Sequence, residues 1–136
     1  MKELELYIDG ASKGNPGPSG IGVVLCNDGE TIKNISSFIG EATNNVAEYT
    51  ALIFGLQEAL LLKAQSVTIK SDSELLCRQL NKTYKIKNPR LLGLYNQAVH
   101  LIAGLKHVSI THIPREQNSG ADKLANLAVK AALKKR

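Results

Sequence analysis

Near its start the chain alternates apolar and polar residues: Leu4, Leu6 and Ile8 are interleaved with Glu5, Tyr7 and Asp9. A period of two marks a strand with one apolar face. It predicts a first strand that runs into Asp9. Behind it comes a loop, Gly10 to Pro18, in which Gly, Pro, Asn and Ser bend the backbone and turn N–H groups outward. Ile21 to Cys26 reads as a second strand, Asn27-Asp28-Gly29-Glu30 as a hairpin turn, and Thr31 to Ile39 as a third strand. The period then changes. From Asn45 to Lys63 apolar residues recur at helical spacing, with Leu52, Leu56, Ala59 and Leu60 on one stripe and Ile53 and Leu61 beside it. Ser66 to Ser71 is a strand that ends at Asp72, and Ser73 to Leu80 a short helix. Asn81 to Pro89 is a basic loop carrying Lys82, Lys85 and Lys87, followed by a helix over Leu91 to Leu105. His107 to Ile113 returns to strand, Pro114 to Ser119 is a loop, and Gly120 to Leu133 is an amphipathic helix.

The order β-β-β-α-β-α-α-β-α belongs to the α/β class. It predicts one five-stranded mixed sheet, a three-strand antiparallel meander continued by two parallel strands, with helices on both faces. The right-handed crossover rule places the fourth and fifth strands on one side of the first. The carboxyl ends of the parallel strands then meet at one rim, where open α/β sheets bind ligands.

Composition changes this picture in three ways. At 136 residues, with 43% hydrophobic and 21% charged positions, residues 1–136 form a single globular domain without repeat or linker. The net charge of +5, with a basic tail of Lys130, Lys134, Lys135 and Arg136, favours an anionic partner, nucleic acid first. Cys26 and Cys77 lack C-x-x-C spacing, which excludes a zinc site and a disulfide scaffold. Neither a signal peptide nor an apolar run near the roughly 20 residues of a membrane span is present, so the expectation is a cytoplasmic monomer.

Four acidic residues carry the candidate chemistry: Asp9, Glu48, Asp72 and Asp122. Each has an ordinary explanation. Asp9 reads as a turn residue, Glu48 as the partner of Asn45 in a capping box, Asp72 as a helix N-cap, and Asp122 as the partner of Ser119 in another box. Two features argue against all four holding together. Glu48 lies on the stripe of Leu52, Leu56 and Ala59, and Asp122 on that of Ala125, Val129 and Ala132, so both carboxylates face inward. Neither helix spaces a Lys or Arg to neutralise them, and a buried carboxylate without a counter-charge is costly. All four also stand at element ends that the proposed sheet brings to one rim. A divalent cation removes their repulsion, and oxygen ligands without Cys or His suit Mg²⁺ or Mn²⁺.

Asp9-Gly10-Ala11-Ser12-Lys13-Gly14-Asn15-Pro16-Gly17-Pro18, Thr43-Asn44-Asn45-Val46-Ala47-Glu48, Ser71-Asp72-Ser73, and Gln117 to Asn126 together resemble the type 1 ribonuclease H family. The likeness runs from the first strand to the last helix. It implies endonucleolytic hydrolysis of the RNA strand of an RNA/DNA hybrid, with two Mg²⁺ or Mn²⁺ ions when substrate is bound. By the resemblance Asp9 bridges the two ions, Glu48 and Asp72 bind one, and Asp122 the other. Gly10, Ala11, Ser12 and Asn15 match the segment that meets the RNA backbone, Asn44 and Asn45 the pair that reaches the minor groove, and Ser73 and Glu74 further substrate contacts. The chain departs from many members in two places. The basic protrusion is reduced to Asn81 to Pro89, with lysines and Tyr84 but no Trp, which implies modest and salt-sensitive affinity. The mobile His of the loop before the last carboxylate has two candidates, His112 on a strand or Arg115 in the loop itself. Other readings are a related nuclease acting on other nucleic acid and a catalytically weak hybrid-binding module. The glycines give no G-x-G-x-x-G, which disfavours a Rossmann-type nucleotide binder.

Overall fold

A computed structural model describes residues 3–82 and 85–135. Tyr84 and Arg136, named above for the basic loop and tail, lie outside that range. The meander consists of β1 (Glu3–Ser12), β2 (Gly17–Asn27) and β3 (Glu30–Ala42). There follow α1 (Asn44–Leu61), β4 (Ser66–Ser71), α2 (Glu74–Leu80), α3 (Pro89–Ile102), β5 (His107–His112), a 3₁₀ turn (Arg115–Asn118) and α4 (Ser119–Lys134). The strand order is β3-β2-β1-β4-β5. β1 pairs antiparallel with β2 and parallel with β4, and β4 parallel with β5. This is the mixed sheet that the hydrophobic pattern predicts.

The β2–β3 hairpin turns at Asp28 and Gly29, both left-handed with φ of 51° and 80°, the geometry whose twist matches two antiparallel strands. Leu4, Leu6 and Ile8 of β1 and Ile21, Val23 and Leu25 of β2 are all buried. They face Leu52 and Leu56 of α1, in a core that also takes in Ala98 of α3. The alternate residues of β2 face the other way, towards α4, where Gly20 and Gly22 let the helix backbone come down onto the strand. α1 and α4 therefore clamp the sheet from opposite sides. Among the described residues no helix is long and apolar enough to cross a membrane.

Three expectations need correction. β1 does not end at Asp9: it continues through Gly10, Ala11 and Ser12, paired to Ile21, Gly20 and Ser19 of β2. Gly-Ala-Ser reads locally as a loop, but β2 supplies the partner amides and holds it extended. Ser12 is fixed further by Ser19 Oγ at 2.5 Å. The stretch before α4 is a 3₁₀ turn rather than an open loop. α3 starts earlier than its apolar period does, because Pro89 fits the first turn and Asn88 Oδ1 caps it by accepting from the Arg90 and Leu91 amides.

Candidate active site

Register places the first two carboxylates. Ile8 of β1 lies opposite Ser71 of β4, so the residues that follow, Asp9 within β1 and Asp72 just past β4, stand side by side at the same level. Close packing brings in the third. A Cβ on Gly10 would stand 2.6 Å from the Glu48 nitrogen and 2.5 Å from the Ala47 carbonyl carbon; only glycine lets β1 lie so near α1. The Gly10 amide donates to the Glu48 carboxylate. The fourth comes from the other face of the sheet. Asp9 pairs with Gly22 across β1 and β2. A side chain on Gly22 would collide with the Ala121 carbonyl oxygen, so its absence sets the start of α4, and Asp122 with it, over Asp9.

One oxygen each from Asp9, Glu48 and Asp72 lies within 4.8 Å of the others. Asp122 stands outside that trio but lines the same cleft, about 480 Å³ in volume, and is near enough to Asp9 to help push its carboxyl up. None of the four does the ordinary job considered for it. Asp9 is mid-strand. The α1 N-cap is Thr43, whose Oγ1 accepts from the Val46 amide, and the α2 N-cap is Ser73, whose Oγ accepts from Leu76. At α4 the N-cap position falls on Asn118, and Asp122 instead accepts from Asn126 Nδ2 at 3.2 Å.

The electrostatics are those of a site short of positive charge. Asp9, 5% exposed, is pushed up to about 7 by burial first and the Asp72 charge second. Glu48 is held well above the usual carboxylate range, again by burial first and then by Asp9. Its Oε2 is buried without a hydrogen-bond partner. Among the described residues lining the cleft Arg115 is the one cation. Clustered oxygen donors with one orphaned oxygen fit a hard divalent cation. The thiol of Cys77, free and buried on the inner side of α2, is pushed up to about 11 by burial and is no nucleophile.

Of the other sequence-predicted residues, Gly10, Ala11, Ser12, Asn44, Asn45, Ser73 and Arg115 line the cleft. Asn15, Glu74 and His112 are not in that lining. Asn15 Oδ1 accepts from the Asn44 amide at 3.0 Å and so pins the start of α1. Glu74 pairs with Arg78 at 2.8 Å on the outer side of α2. His112, the last residue of β5, has Nε2 at 3.3 Å from the Asp72 carbonyl oxygen. Two residues went unassigned in the sequence: Asn126, one turn beyond Asp122 and part of the lining, and Asn118 beneath it. The i, i+4 spacing from Asp122 was a usable signal for the first.

Gly10→Ala tests the packing. The added methyl meets backbone, which cannot rotate away, so β1 and α1 must separate. Destabilisation of about 1–3 kcal/mol is expected in urea unfolding, together with weakened divalent-cation binding as Glu48 withdraws. A variant that matches the parent in both would show that the contact is not needed.

Comparison with known proteins gives consistent relatives. A family profile described as reverse transcriptase-like matches residues 7–128. A bifunctional protein of Mycobacterium tuberculosis is 42% identical over 96% of this chain and 36% of its own length. Its solved N-terminal ribonuclease H domain superposes with a TM-score of 0.90 at 40% identity, covering 93% of this chain and 98% of that one. Ribonuclease HI of Halobacterium salinarum is 42% identical over 93% of this chain and 64% of its own length. The chain thus spans roughly a third of the first relative and less than two thirds of the second. A ribonuclease H1 isolated from compost, solved in complex with an RNA/DNA hybrid, superposes with a TM-score of 0.91 at 40% identity, covering 96% of this chain and 99% of that one.

Proposed function

Since the chain belongs to the type 1 ribonuclease H family, we propose that it is a metal-dependent endonuclease that cuts the RNA strand of RNA/DNA hybrids, leaving 3′-hydroxyl and 5′-phosphate ends. One observation carries the proposal: carboxylate oxygens from β1, α1 and the residue just past β4 within 4.8 Å of one another, with Asp122 beside them. Asp9, Glu48 and Asp72 would hold one Mg²⁺ or Mn²⁺, and Asp9 with Asp122 a second. When bound, such ions polarise the scissile phosphate and lower the pKa of water. The likeness to a ribonuclease H1 solved with a hybrid supports the choice of substrate.

The chain's own residues do the rest. Gly10, Ala11 and Ser12 form a flat strand edge along the cleft, where a sugar–phosphate backbone approaches without meeting long side chains. Asn44 and Asn45, on the first turn of α1, present amides that both donate and accept, which suits a 2′-hydroxyl that does the same and separates RNA from DNA without base readout. Arg115 supplies a fixed positive charge for a phosphate oxygen. The same reading makes the protein a cytoplasmic monomer whose partner is the hybrid itself.

The test is cleavage of an end-labelled RNA/DNA hybrid with Mg²⁺, with Mn²⁺ and with EDTA, beside an all-DNA duplex of the same sequence. Internal cuts in the RNA strand alone, only with metal, are expected. Cleavage of the all-DNA duplex at a comparable rate would reassign the substrate, and a hybrid bound but uncut in either metal would leave a binding module.

A further inference from the structure

Asn118 is 1% exposed, and its side-chain amide reaches across the fold from the start of α4. Nδ2 donates to the Ile8 carbonyl oxygen at 2.8 Å and to Asp72 Oδ2 at 3.2 Å. Ile8 immediately precedes Asp9. One amide nitrogen therefore ties β1, at the residue before Asp9, to Asp72 just past the end of β4, and does so from the root of the helix that carries Asp122.

An asparagine at an N-cap position normally turns to its own helix and accepts from its first amides. Asn118 makes no such bond. Its Oδ1 is left buried with no partner. Exchanging the amide oxygen and nitrogen gives no relief, because the oxygen would then face two acceptors. A missing cap and an unsatisfied oxygen both count against the fold. What the arrangement achieves instead is a donor held against one oxygen of Asp72, fixing the rotation of that carboxylate.

We propose that Asn118 is a positioning residue for cation binding: it takes up Oδ2 of Asp72, presents the second oxygen of that carboxylate to the ion, and ties Asp72 to β1 at Ile8, next to Asp9. The inference rests on the cleft being a divalent-cation site, and partners of this kind typically hold about 10–100-fold of metal affinity.

Asn118→Ala, compared with the parent by calorimetric titration with Mn²⁺ in the absence of nucleic acid, tests it. The Mn²⁺ dissociation constant is expected to rise about tenfold or more. The Mg²⁺ concentration for half-maximal hybrid cleavage rises with it, while KM for hybrid at saturating metal changes by less than about threefold. Leu94→Ala on α3, remote from the cleft, serves as the control for destabilisation alone: it lowers Tm but leaves Mn²⁺ affinity unchanged. Should Asn118→Ala not fold, Asn118→Ser, which keeps a hydroxyl in less space, is titrated the same way and weakens Mn²⁺ binding. Parental Mn²⁺ affinity in the folded variant, with only Tm lowered, overturns the proposal, as does a parent that binds no Mn²⁺. A parent that binds Mn²⁺ but leaves hybrid uncut defeats the ribonuclease reading, while the Mn²⁺ titration still decides Asn118.

Discussion

Asp9→Asn is expected to abolish hybrid cleavage and, in EDTA at pH 8, to raise the temperature at which the protein unfolds. The two effects have one origin. Asp9 is nearly enclosed, and burial together with the Asp72 charge pushes its carboxyl up to about 7. At pH 8 without metal the side chain is charged in an unfavourable place. An amide of the same shape removes that cost and lets Glu48, whose own carboxyl Asp9 pushes up, ionise more easily. With metal the sign reverses, because the amide no longer neutralises an ion. Losing several kcal/mol of transition-state stabilisation corresponds to about a thousandfold in rate or more. Gel assays of RNA cleavage and thermal melts in EDTA measure the two halves separately. Cleavage at the parental rate would remove Asp9 from the mechanism; a lower melting temperature would contradict the electrostatic account of its burial.

The metal-free protein is expected to lose stability as pH rises from about 4 to about 7, and saturating Mg²⁺ to remove most of the loss. Asp9 binds its proton more tightly folded than unfolded, so its contribution is fully present below the ordinary value of 3.8 and disappears as pH climbs through about 7. For Asp9 alone the shift corresponds to roughly 4 kcal/mol between those limits. Glu48 moves the same way. Divalent cations bind the deprotonated carboxylates, so they stabilise most where the metal-free protein is weakest. The cleavage rate should climb over the same interval. Melting curves in EDTA and in Mg²⁺ check this directly, and an EDTA curve that stays flat or rises between about pH 4 and 7 contradicts it.

Much of this site was legible before any coordinates. Asp9 and Asp72 could be paired because each follows an alternating apolar run, and the two runs lie parallel and in register, although β1 itself continues past Asp9. Glu48 was visible because it interrupts a stripe that is otherwise apolar. Asp122 was marked the same way, though it is half-buried where Glu48 is buried. What stayed hidden depends on contacts distant in sequence. Gly10, Ala11 and Ser12 look like loop until β2 is laid beside them. Thr43 and Ser73 displaced the expected caps by a residue or two, since several Ser, Thr and Asn compete at each helix start and packing chooses among them. Asn118 bonds to a carbonyl 110 residues away, and no local pattern encodes that.

The seating of α4 on the glycines of β2 has a consequence for how the molecule comes into being. The meander and its neighbouring strand can assemble from the first half of the chain, yet the fourth acidic residue and the amide of Asn118 arrive only with the final helix. Contacts that span most of the sequence close late. On the proposed reading, a chain that has not yet seated α4 lacks Asp122 and Asn118 at the cleft and is expected to leave hybrid uncut.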